Sequence, residues 1–207
     1  MANVRTASAA TPAEAVQALS SGQPDSSGRV RLRPAASGDE SEFLDLVQAS
    51  VALHHPWMSL PSTPEDFQAF LTRGQQPGEG SLLICLRSTG GIAGMINISN
   101  IVRGRFQSGS LSYAAFAPTA GQGYLTEGLG LAIRHAFEQL RLHRLEANIQ
   151  PGNHASVRLV QRLGFRREGY SPDMLFIDGA WRDHERWAIT ASMAGLAAEP
   201  HPSLPGH

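Results

Sequence analysis

The stretch Ala114-Ala-Phe-Ala-Pro118-Thr-Ala-Gly121-Gln-Gly123-Tyr-Leu-Thr126-Glu127 passes from an apolar, strand-forming run through two glycines into a helix start. Leu125, Leu129, Ile133, Ala136, Phe137 and Leu140 then recur at helical spacing, which predicts the longest helix of the chain. A helix start has unpaired N–H groups and carries about half a positive charge, so such a junction receives phosphate without any lysine. Gly121 and Gly123 would let the backbone approach a ligand closely, and the Thr126 hydroxyl lies in the first turn. The alternative is a plain tight turn followed by a threonine cap. A Walker loop is excluded by the missing G-K-[ST]. A dinucleotide-binding βαβ unit is disfavoured because the strands before the junction read as an antiparallel meander.

That meander comprises 82–86, 92–98 and 110–116, with Ser88-Thr-Gly-Gly91 as a hairpin turn between the first two. Upstream, 30–33 alternates as a strand and Ser37-Gly-Asp-Glu40 has the form of a capping box. Phe43, Leu44, Leu46, Val47 and Val51 give the following helix an apolar face. A loop, His54-His-Pro-Trp-Met58, precedes Thr63-Pro64, an N-cap with proline at the first helical position, and a second helix carries Phe67, Phe70 and Leu71. Downstream lie a strand over 144–150, a helix over 155–163 stopped by Gly164, and strands over 174–177 and 184–192. The order is a mixed α/β layer fold with a mostly antiparallel sheet, not a doubly wound one.

The chain of 207 residues, 42% hydrophobic, supports one substantial core. Residues 29–195 are expected to form that domain, between tails at 1–28, rich in Ala, Ser, Gly and Pro, and at 196–207. With 17 Lys plus Arg against 18 Asp plus Glu the net charge is −1, so no bulk positive field exists to hold nucleic acid or an anionic membrane. A single cysteine, Cys85, forms no internal disulfide, and no apolar run approaches the roughly 20 residues that span a bilayer. A cytoplasmic location is expected. The eight histidines show no metal-ligand spacing, so no metal site is expected.

The G-x-G-Y-x-T-E helix start is followed by an R-x-E-A strand at Arg144–Ala147, an N-x-x-S helix start at Asn153–Ser156 and an L-G-F-x-x-E-G ending at Leu163–Gly169. In this order and spacing, over residues 29 to 193, the chain resembles a GCN5-related N-acetyltransferase (GNAT) of the ribosomal-protein N-terminal acetyltransferase (RimJ/RimL) type. The resemblance implies a three-layer fold, helices on both faces of the sheet, and a V-shaped cleft between strands 110–117 and 144–150 that admits acetyl-CoA. It places the pyrophosphate on Gly121, Gln122, Gly123, Tyr124, Leu125 and Thr126, and pairs the backbone of Phe116 and Ala117 with the pantetheine and the thioester carbonyl. Asn153 would bind the cofactor or simply cap its helix, and Phe116 would equally serve as plain core.

Acyl transfer needs a neutral amine and a proton donor for the departing thiolate. By resemblance Ser156 is the candidate donor, unless it is only a helix-start residue. A tyrosine used by many relatives falls at Val160. Asn148 stands where some relatives carry a glutamate base, and another carboxylate falls near Leu175. These departures favour deprotonation by water or by the substrate, with Asn148 holding the water or the amine. Glu127 and Glu146 read as a carboxylate at a helix dipole and a structural ion pair. Trp57 would wall the acceptor site or anchor the core.

The implied activity is transfer of acetyl from acetyl-CoA to a primary amine, foremost the α-amine of a protein or peptide N-terminus. A small amine such as an aminoglycoside or polyamine is the nearest enzymatic rival, and acids at Asp39, Glu40, Glu42, Asp45, Glu65 and Asp66 suit a polycation. A non-catalytic acyl-CoA-binding module is the rival of a different class. A homodimer is compatible with such a domain, although no sequence feature marks an interface.

Overall fold

The computed structural model describes residues 28–196. Except for Gly28 and Leu196, the expected tails lie outside the described residues. Leu196 packs partly against the core, and its N–H donates to Ala191 O at 2.9 Å.

Seven strands form one sheet: β1 (Val30–Pro34), β2 (Gly80–Leu86), β3 (Ile92–Val102), β4 (Ser108–Ala115), β5 (Arg144–Ile149), β6 (Arg166–Ile177) and β7 (Ala180–Thr190), in spatial order β1-β2-β3-β4-β5-β7-β6. Every neighbouring pair is antiparallel except β4 and β5. These two run parallel and pair only through Ser108–Ser110 against Arg144–Glu146. Beyond that register, Leu111–Ala115 and Ala147–Ile149 have no partner in each other, so the sheet opens at its centre.

Helices α1 (Glu40–Ala49), α2 (Val51–His54) and α3 (Pro64–Gly74) cover one face, and α4 (Tyr124–Glu138) and α5 (His154–Arg162) the other. The alternation along β2 explains the layering. Leu82 and Ile84 point to a core shared with Leu129, Ile133 and Phe137 of α4, while Leu83 and Cys85 point to one built on Phe43, Phe67 and Phe70. An apolar run such as Leu82–Leu86 is what burial on both faces selects. At about 25 cal/mol per Å² of apolar area, each buried phenylalanine of the cluster contributes several kcal/mol through area, well above the ~0.5–1.5 kcal/mol that the geometry of a ring pair adds. Its ring centroids lie 5.0 Å (Phe43–Phe67) and 5.7 Å (Phe43–Phe70) apart.

Thr63 caps α3 as its sequence predicts, its hydroxyl accepting from Asp66 N at 3.2 Å behind Pro64. The first helix starts differently from the expected box. Residues Ser37–Asp39 form a 3-10 turn, and Asp39 rather than Glu40 reaches back, accepting from Ala36 N at 2.8 Å while Arg33 grips its carboxylate. The arginine decides this outcome, because it supplies a charge-assisted partner only to Asp39. The helix also breaks at Ser50, which leaves Val51 59% exposed instead of on the apolar face.

Strand β6 begins at Arg166, well before the expected 174. Its first half, Arg-Arg-Glu-Gly-Tyr-Ser-Pro-Asp, lies on the sheet's edge with mostly exposed side chains, so no apolar alternation marks it. The register shifts between Ser171 and Leu175, around Pro172, where an edge strand tolerates proline. Helix α5 ends in a Schellman arrangement, with Phe165 N donating to Val160 O at 3.0 Å and Gly164 N to Gln161 O at 3.1 Å.

Candidate active site

The junction at the head of the opening is built from backbone. After β4, a 3-10 turn over Ala117–Thr119 leads to Gly121 at φ +76° and Gly123 at φ +85°. Both values lie where side chains with a Cβ are strained. Gly123 occupies the N-cap position of α4 and offers no capping side chain. A Cβ at Gly121 would meet nothing within 4 Å among the described residues, which leave the loop's surface open there. Thr126 stands half-buried in the first turn, with Tyr124 and Leu125 partly packed against the core. Gln122 is exposed and folds back, its amide donating to Pro118 O at 3.1 Å.

Arg29, which no local pattern singles out, completes this corner. Its guanidinium lies 4.7 Å over the Tyr124 ring, donates to Gln122 O at 3.1 Å and pairs with Glu127 at 3.1 Å. Glu127 also accepts the N–H groups of Arg29 and Val30. Partial burial pulls the Glu127 carboxyl up, but those hydrogen bonds and the guanidinium outweigh it and leave the group below the ordinary carboxylate range.

Along the inner edge of β4, Phe116 is fully buried, edge-on to Phe43 at 5.6 Å. Its N–H donates to Ala93 O at 3.4 Å, and that of Ala117 donates to Ser50 Oγ at 2.8 Å. His54 Nε2, as the N–H tautomer, donates to Ala115 O at 2.8 Å. The break between α1 and α2 thus serves the site. Ser50 Oγ donates to Leu46 O at 2.6 Å and accepts from the strand end, and His54 holds the carbonyl two residues earlier. A pantetheine paired with Ala117 would displace Ser50 from that N–H.

The far wall comes from β5 and α5. Asn153 Oδ1 accepts from Ser156 N at 3.1 Å and caps α5. Ser156 Oγ lies 2.7 Å from Tyr113 OH, a bridge from α5 to β4. Burial pushes the Tyr113 phenol up to about 12, the Ser156 contact opposing it only in part. Trp57 is half-buried at the end of β5, close enough that a Cβ on Gly152 would sit 3.1 Å from its ring. Gln150 Nε2 holds this loop by donating to Trp57 O at 3.1 Å and Pro56 O at 3.3 Å.

Asn148 is half-buried opposite Arg186 of β7, on the β5 face that also carries Glu146 and Gln150. Its Oδ1 is buried and meets no hydrogen-bond donor among the described residues. Glu146 is tied to Arg144 at 2.7 Å, and Arg144 also holds Glu168. Val160 is fully buried in the core, and Leu175 is 41% exposed on the edge strand. Among the described residues no group of three or more His, Cys, Asp or Glu is placed to hold a metal.

The parting of β4 from β5 is thus headed by a positive-φ glycine turn and a helix start. A family model described as the acetyltransferase (GNAT) domain matches residues 29–166. The chain belongs to the GNAT acetyltransferase family. Among curated proteins this GNAT chain is 44% identical over 99 residues to a [ribosomal protein uS5]-alanine N-acetyltransferase of Escherichia coli, covering 48% of the chain and 51% of that enzyme. The match therefore spans about half the length of that relative. Among solved structures, Mycobacterium smegmatis RimJ in complex with CoA-disulfide superposes with a TM-score of 0.74 at 28% identity, covering 82% of this chain and 85% of that one. A spermidine N-acetyltransferase of Vibrio cholerae, in complex with CoA and spermine, shares the fold with a TM-score of 0.69 at 18% identity, covering 80% of this GNAT chain and 98% of that one.

The residues present fit a CoA-type ligand. The space over Gly121, the helix-start N–H groups that no side chain caps among the described residues, and the stretches of β4 and β5 beyond their shared register offer donors and acceptors along one line.

Proposed function

We propose that the protein transfers acetyl from acetyl-CoA to a primary amine, and that its acceptor is the α-amine of a protein N-terminus, of the ribosomal type. The observation that carries the reaction is the opening between β4 and β5 headed by Gly121–Thr126 in a GNAT chain. The acceptor class rests on the similarity to the uS5-alanine enzyme. A cytoplasmic location goes with that acceptor; no helix among the described residues is long and apolar enough to cross a membrane.

Acetyl-CoA supplies the activated acyl group. Gly121, Gln122, Gly123, Tyr124, Leu125 and Thr126 receive its pyrophosphate through backbone N–H groups and the Thr126 hydroxyl, while Phe116, Ala117 and Asn153 line the arm. Trp57 stands beside the acceptor. Ser156 hydrogen-bonds the sulfur as it leaves. Asn148, which takes no proton at neutral pH, orients the amine or its water through the unpartnered Oδ1, and the amine proton passes to water.

The test is CoA release from acetyl-CoA with a panel of peptides bearing free N-termini and of small amines, native protein beside Ser156→Ala. Turnover is expected with N-terminal peptides and a loss of at least tenfold in kcat for the variant, in line with the ~10²–10⁴ typical of a positioned acid–base group. Tight acetyl-CoA binding without turnover on any acceptor would overturn the enzyme reading. Turnover restricted to polyamines or aminoglycosides would overturn the acceptor.

A further inference from the structure

The Tyr113–Ser156 contact joins two elements on either side of the open seam, and its hydrogens can be assigned. Tyr113 lies on β4 paired with Ile96 of β3, and its hydroxyl meets one polar partner among the described residues, Ser156 Oγ at 2.7 Å. With the serine as donor, the half-buried phenol proton would face no acceptor among the described residues, so the donor role falls to the phenol, the more acidic of the two hydroxyls. Burial keeps the phenol protonated across the working pH range. Ser156, fixed at the first turn of α5 by the Asn153 cap, then has one lone pair occupied and its own proton turned away from Tyr113.

We propose that Tyr113 is a positioning residue for acyl transfer: by donating to Ser156 Oγ it locks the serine rotor so that the serine O–H is presented to the departing sulfur. This rests on the assignment of Ser156 given above. In the step, the amine nitrogen bonds to the acyl carbon, the C–S bond breaks and its electron pair goes to sulfur. The amine releases one proton to water and sulfur takes up one, through Ser156, which is re-protonated from water. The phenol stays neutral throughout. A hydroxyl free to rotate would meet the sulfur in only a fraction of encounters, so the tyrosine acts on the chemical step and not on binding.

The experiment compares native protein, Tyr113→Phe, Ser156→Ala and the double variant, reading kcat and the KM for acetyl-CoA with a peptide acceptor, and melting temperature beside them. Tyr113→Phe is expected to lower kcat about tenfold with KM within twofold, and the double variant to match Ser156→Ala, because the tyrosine acts only through the serine. Ser156→Ala impaired with Tyr113→Phe at native kcat would overturn this inference alone, and additive losses would do the same. Ser156→Ala at native activity would overturn the serine assignment and this inference with it. Fluorotyrosine at position 113 keeps the shape and lowers the phenol's affinity for its proton. Its kcat is expected to fall with rising pH earlier than that of native protein, and an unshifted profile would count against the donor role even if Tyr113→Phe failed to fold.

Discussion

Glu127 accepts the backbone N–H of Val30 at 3.1 Å, across 97 positions of sequence, and so fastens the first strand to the start of the helix that heads the opening. The same carboxylate serves Arg29 through both its N–H and its guanidinium. The Arg29 side chain is 57% exposed, so the ion pair itself contributes little and the backbone donors carry the effect. Glu127→Ala leaves the Val30 N–H without its acceptor and is expected to destabilise by about 1–3 kcal/mol, read as a lowered urea midpoint. The folded-state carboxyl is depressed, so its contribution is full above the ordinary carboxylate range and is lost as pH falls through its folded value. A variant with the native midpoint would show the fastening to be inert.

His135 is 4% exposed on α4, and neither ring nitrogen has a hydrogen-bond partner among the described residues. Burial pushes its pKa down from 6.5 to about 4. The unfolded chain therefore binds a proton that the folded chain refuses between those values, and stability falls as pH drops through that window. At about 1.4 kcal/mol per unit, moving from pH 7 to pH 5 is expected to remove about 2 kcal/mol. His135→Leu should flatten that difference in denaturant titrations at the two pH values; equal slopes in both proteins would refute it.

Gly121→Ala places a methyl where the described residues leave open space, at a φ that costs about 1–2 kcal/mol for a residue with a Cβ. The expected outcome is a modest loss of stability with at least a tenfold rise in KM for acetyl-CoA. A KM within twofold of native would place the pyrophosphate elsewhere.

With Asn148, Val160 and Leu175 at the positions where relatives carry ionisable groups, the proton-loss limb of the pH–rate profile should belong to the acceptor. kcat/KM is expected to rise and level off near the α-amine value of about 8, and to move toward about 10.4 when the only amine offered is a lysine side chain. A limb that stays put when the acceptor changes would reveal a protein base.

What was legible in the sequence was whatever is encoded over a few residues. The two glycines before Tyr124, Thr63-Pro64 ahead of α3, the continuous apolar run of β2 and the apolar alternation of β5 each declare themselves locally. The contacts that finish the site are long-range: Arg29 with Glu127, Ser50 with Ala117, His54 with Ala115 and Tyr113 with Ser156. Nothing in the sequence around Ser50 announces a backbone donor 67 positions away. The first half of β6 escaped for the opposite reason, since an exposed edge imposes no pattern on its side chains.

The short β4–β5 register divides the sheet into a four-stranded and a three-stranded antiparallel leaf that share three residue pairs. Sheets normally fray at the rim, whereas this one is least fastened in the middle. Amides on the inner edges of Leu111–Ala115 and Ala147–Ile149 should accordingly exchange with solvent faster than their depth suggests. A ligand laid between the leaves then acts as a wedge and a clasp at once, and the melting temperature of the whole molecule becomes a measure of its occupancy.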